Sequence, residues 1–145
     1  MKRRRWLLAV AAGLFAAWIA YLGFLALTAS HPTVLSHPQF LVADLWVIAE
    51  VNDFDKPVKV VEVTWAREDV EKPEKDATVE VSNLARCKEE GTKAGRYILP
   101  LTREGKGYRV TDVPHSPGYG PLTPQCRVYP DTPETRGQLD RLPRP

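Results

Sequence analysis

The 145-residue sequence predicts a small all-β domain, a barrel of about five strands, preceded by one transmembrane α-helix and followed by a proline-rich arm. Three observations predict it. An uncharged apolar run of 22 residues, 6–27, lies directly behind four consecutive basic residues, Lys2, Arg3, Arg4 and Arg5. From residue 40 the apolar pattern changes to a period of two, in runs separated by turn residues. Beyond Val113 proline takes over, with eight of the 13 prolines from Pro114 onward. The expected organisation is a basic cytoplasmic tip at 1–5, a membrane helix at 6–27, a linker at 28–39, an exported β-domain at 40–113 and an arm at 114–145.

The helix comes first. As an α-helix, residues 6–27 rise about 33 Å, which matches a hydrocarbon core of about 30 Å. A helix apolar on every side has no place on the surface of a small soluble domain. In lipid it pairs all its backbone groups internally. Basic residues precede the run, and the next one is Lys56, so the positive-inside rule predicts a cytoplasmic N-terminus and an extracytoplasmic C-terminus. The competing reading is a cleaved signal peptide, with Thr28, Ala29 and Ser30 as a weak cleavage site. Signal peptides have apolar cores of about 7–15 residues, shorter than this run, which favours a retained anchor. Ala9, Gly13 and Ala17 recur every four residues, as do Ala12, Ala16 and Ala20. Small residues at that spacing let helices approach closely, so they form a candidate helix-packing face, although alanine is common in such helices anyway.

Charge supports the division. The net charge is +2, but the basic tip supplies four of the 20 basic residues, and the rest of the chain carries 16 against 18 acidic ones. The remainder is close to neutral, with alternating signs and no basic patch, which argues against nucleic acid as a partner.

The linker, with His31-Pro32 and His37-Pro38, reads as extended, because residues before proline avoid the helix. The first strand is expected over 40–51. Leu41, Ala43, Leu45, Val47, Ala49 and Val51 form one apolar face, and Phe40, Val42, Asp44, Trp46, Ile48 and Glu50 a mixed one. Residues 52–57, NDFDKP, make a turn. A second strand covers 58–65, with Val61, Val63 and Trp65 on one face, and its fading partner face suggests a bend or a bulge. A charged loop at 67–76 leads to a short strand at 78–82. A helical turn follows at 83–91, with Asn83 as cap and Gly91 as stop. Pro100 makes the strand at 97–102 an edge or a broken strand, since proline cannot donate to a ladder. A hairpin turn at 103–107 enters the last strand, 108–113.

Three strands, a short helix and a hairpin, in that order, resemble the OB-fold, a five-stranded Greek-key barrel; the resemblance covers 40–113 and rests on element order. A small SH3-like barrel or an open β-sandwich is the alternative. In the arm, Tyr119, Leu122, Val128 and Tyr129 are expected to staple an extended chain to the barrel. Thr132 and Pro133 start a short helix that carries Leu139 and Leu142 and ends before Pro143.

Few residues point to chemistry. Cys87 and Cys126, an even count in an exported domain, are expected to form a disulfide. Cys87, His115 and Cys126 lack the close spacing of zinc ligands, so no metal is expected. No catalytic triad, phosphate loop or nucleotide fingerprint occurs, and no catalytic residue or cofactor is expected. Trp46, Trp65, Tyr97 and Tyr108 could stack on a ligand if exposed, but core packing is the simpler expectation. The functional expectation is therefore a single-pass membrane protein with an extracytoplasmic β-domain. Its role would be non-catalytic binding or scaffolding in the cell envelope. Its partners would be the lipid bilayer and a further membrane or envelope protein. The alternatives are a saccharide- or peptide-binding module and an enzyme whose site is dispersed in sequence.

Overall fold

A computed structural model describes residues 2–28, 33–89, 91–115 and 125–145. The chain divides into two compact units, Met1–Pro32 and Thr33–Pro145. The first contains α1, Lys2–Thr28, a continuous 27-residue helix. The second is built on one mostly antiparallel sheet.

Its elements are α2 (His37–Val42), β1 (Leu45–Val51), β2 (Val58–Ala66), β3 (Thr78–Val79), a 3-10 turn (Leu84–Cys87), β4 (Gly95–Glu104), β5 (Gly107–Val110), β6 (Tyr129–Pro130) and α3 (Pro133–Leu139). The strand order is β3-β2-β1-β4-β5, with β6 paired to β4. The expected closed barrel is not formed: the sheet is open, with β3 and β5 as its end strands. The physical reason is the brevity of β3, which pairs with β2 only at Val58–Val79 and Lys59–Thr78. A backbone bridge spans the opening. Val81 forms a parallel bridge with Tyr108, in which Tyr108 N donates to Glu80 O at 3.0 Å and Ser82 N to Tyr108 O at 2.9 Å. Gly107 permits this approach, since a Cβ there would stand 3.1 Å from the Glu80 carbonyl oxygen.

β1 is the spine, flanked by β2 and β4, and its alternation divides two cores. Leu45, Val47, Ala49 and Val51 face a cluster with Phe54, Val70, Leu84, Leu99, Leu101 and Val110. Trp46 and Ile48 face the other, with Leu35, Phe40, Ile98, Tyr129, Leu139 and Leu142. A sheet covered on both sides explains why β1 is buried almost throughout.

Several expectations change. The first strand starts at Leu45, because 37–42 is helical: Pro38 lies in its first turn, where a missing N–H costs nothing, and Phe40 turns into the core. In β2, Val61 and Trp65 pack on one face and Val63 on the other. Register shifts opposite Trp46/Val47 and Ile48/Ala49 cause this switch, and the Thr64 hydroxyl at the first donates to the Trp46 carbonyl at 3.0 Å. β4 is central rather than an edge. Pro100 accepts from Thr111 N at 2.9 Å just where β5 ends at Val110, and β6 pairs further along at Tyr97 and Ile98. The ring thus occupies a donor position between two partner strands. Gly105, with φ of 61°, opens the two-residue hairpin loop between β4 and β5.

The third strand stops at Val79, and Asn83 does not cap the turn after it. Instead its side-chain amide pairs with Val110 like a backbone unit, donating to the carbonyl at 2.9 Å and accepting from the amide at 2.7 Å. Much of the expected arm, including Tyr119 and Leu122, lies outside the described residues. The described part returns at Gln125, whose carbonyl accepts from Val113 N at 2.8 Å, and continues into β6. Thr132 caps α3 with a reciprocal hydrogen-bond box to Thr135.

Candidate functional site

The most unusual surface is α1. It is uncharged over 6–27, and the stretch Val10–Leu27 is long and apolar enough to cross a membrane. Trp6, Leu14, Phe15, Trp18 and Phe24 are all exposed in the single chain. So are Ala12, Gly13, Ala16, Ala17 and Ala20, and nothing lies within 4 Å of a Cβ built on Gly13. The side chains of Ala9, Lys2, Arg3, Arg4 and Arg5 lie outside the described ones.

In the folded unit a buried polar clasp holds α2. Gln39 is fully buried; its Nε2 donates to Thr111 O at 2.7 Å and to Arg127 O at 3.0 Å. Its Oε1 accepts from the Tyr129 hydroxyl at 2.7 Å, and that hydroxyl accepts from Ser36 N at 3.1 Å. Burial pushes the Tyr129 phenol above its ordinary value. Nearby, Gln138 accepts from Leu35 N at 3.0 Å and donates to Thr33 O at 2.9 Å. The segment that follows α1 in sequence is therefore gripped by residues about a hundred positions later. Neither glutamine is visible as a hub in the sequence; the only signal is an amide inside an apolar run at Gln39.

The disulfide joins Cys87, in the 3-10 turn, to Cys126, with Cα atoms 5.1 Å apart. It ties the 125–130 strap to the core and leaves no thiol for a nucleophile or a metal. Among the described residues no three His, Cys, Asp or Glu side chains converge to hold a metal ion. His37 and His115 are exposed, and His31 lies outside the described residues.

The four strand aromatics do not gather into a stacking platform. Trp46 is 2% exposed, donates from Nε1 to Phe40 O at 2.8 Å and packs 5.0 Å from Trp65. Tyr97 is buried and donates to Lys93 O at 2.6 Å, while Tyr108 is half-buried beside Glu71. Half-buried Trp65 lines one shallow cleft with Ala66, Arg67, Glu68, Asp69 and Pro145. Arg67 there is shared by two carboxylates, Asp69 at 2.6 Å and Asp44 at 2.9 Å, which hold the guanidinium above its ordinary value. The same contact lowers Asp69. Elsewhere Arg136 makes a two-pronged contact to Asp131, at 2.5 and 2.8 Å, which holds that carboxyl below its usual range. Within these two groups the charges neutralise one another.

Comparison with protein-family models, curated proteins and solved structures finds no match. The class defined by the coordinates is a mostly antiparallel β-domain following one long apolar helix.

Proposed function

We propose that the chain is a single-pass membrane protein with a cytoplasmic N-terminus and an extracytoplasmic β-domain that binds or scaffolds another envelope component without catalysing a reaction. The observation that carries this reading is α1, whose uncharged, apolar run of 22 residues directly follows four basic ones. The disulfide adds support, since such bonds persist in oxidising compartments. The mutual pairing of charges around Arg67 and Arg136 favours a structural role for those residues over acid–base chemistry. We further infer OB-like connectivity for the domain. Support comes from β1 lying between β2 and β4, and from the parallel bridge of Val81 with Tyr108 across the opening. Fusion of alkaline phosphatase and of a cytosol-dependent fluorescent protein to Pro145 tests the topology. The phosphatase fusion alone should be active; fluorescence from the other fusion overturns the reading. A second reading, a saccharide- or peptide-binding module, draws on Trp65 in its cleft. It requires that oligosaccharide or peptide change tryptophan emission, and that Trp65→Phe abolish the change.

A further inference from the structure

α2 has its polarity inverted. Its amide, Gln39, is fully buried, whereas Leu41 is 41% and Val42 54% exposed. Pro38, Leu41 and Val42, at spacing i, i+3, i+4, form one outward stripe, and Phe40 fills the core on the opposite side. Val34, just before the helix, is 67% exposed. Among the described residues of Thr33–Pro145, these three are the exposed large hydrophobic side chains; every other one is at least half-buried. Beyond His37 the outward face of α2 is apolar, and exposed apolar side chains grouped on one face mark contact with something other than water.

Position in the chain says what that is. Val34 lies six positions after Thr28, the end of α1, and a fully extended chain covers about 20 Å over that length. On the anchored reading, that length is the most by which the chain can separate Val34 from the end of the membrane helix. The clasp through Gln39, Tyr129 and Gln138 fixes it on the sheet, so it is presented as a rigid surface.

We propose that Val34, Leu41 and Val42 insert into the interface of the membrane that α1 spans, and seat the β-domain on the lipid surface. Apolar faces of interfacial helices enter the boundary between headgroups and acyl chains by about 5–10 Å. The inference rests on the anchored reading above, and the experiment separates the two.

The full chain, in native membranes, carries a photoreactive benzoylphenylalanine in turn at Leu14, Leu41, Val42 and Lys106. After illumination, mass spectrometry scores lipid and protein adducts. Disulfide formation, seen as mobility on a non-reducing gel, verifies folding of each variant. Leu14 and both α2 positions should yield lipid adducts several-fold above Lys106, which sits in the exposed hairpin loop. Lipid adducts at Leu14 with none at Leu41 or Val42 overturn the proposal and leave the anchor intact. Protein adducts at Leu41 and Val42 overturn it in favour of a protein partner. No lipid adduct at Leu14 overturns the anchored reading itself.

Discussion

Tyr129 joins two buried parts of the clasp through one hydroxyl. Its hydroxyl supplies the proton for Gln39 Oε1 and receives one from Ser36 N. Tyr129→Phe keeps the ring against Phe40, 5.6 Å between centroids, but strands a fully buried amide oxygen. An unsatisfied buried group costs about 1–3 kcal/mol, so urea unfolding in detergent should show a loss in that range. The phenol also imposes an alkaline limit. Its folded pKa is raised, so the unfolded chain releases this proton first. The contribution is complete below the unfolded value of about 10 and is lost as pH climbs through the higher folded value. Tyr129→Phe should flatten that part of the stability profile between neutral and strongly alkaline pH; an unchanged profile would locate the titration elsewhere. Gln39 and Asn83 are harder to foresee at this scale. An amide in a sequence looks the same whether it meets water, pairs with a strand as Asn83 does, or is buried on the Thr111 and Arg127 carbonyls as Gln39 is.

Among the elements, legibility followed local chemistry. The Thr132-Pro133 start of α3 and the Gly105 hairpin are written in residues that need particular backbone angles or caps, and both stand where the sequence places them. The alternation of 45–51 likewise marks β1 and its two faces. What was not legible depends on distant partners. The period of two continues back to Phe40, yet 37–42 coils into a helix because the clasp and Phe40's burial outweigh local preference. Pro100 lies mid-sheet because β5 stops beside it, which no property of 97–102 reveals. The exposed stripe of Leu41 and Val42 was hidden by the same error, since a strand would have put them on opposite faces. The strap at 125–130 has little ladder of its own and relies on Cys87–Cys126. With the cysteines 39 positions apart, loop closure contributes about 3–4 kcal/mol. Cys87→Ser should lower unfolding stability by about that amount, and reductant should do the same to the unaltered chain but add nothing to the variant.

For the whole molecule, charge is the ordering principle. The basic cluster and the near-neutral remainder are separated by a stretch without a single ionisable charge. On the proposed topology, replacing Lys2, Arg3, Arg4 and Arg5 with glutamate removes the signal for a cytoplasmic N-terminus. A C-terminal phosphatase reporter should then lose most of its activity, while alkaline carbonate still fails to extract the protein. Full retention of reporter activity would show that orientation is set elsewhere.

The grip of late residues on early ones has a consequence for biogenesis. Leu35 and Gln39 find their polar partners 103 and 90 positions downstream. The first part of the unit to leave the ribosome is therefore the last to be secured. Until α3 has emerged, the segment that follows α1 in sequence has little to hold it, and contacts of such long sequence separation form slowly. A nascent chain stalled before Tyr129 would expose Phe40 and Trp46 to proteases and chaperones, and only release of the final residues would shut that window.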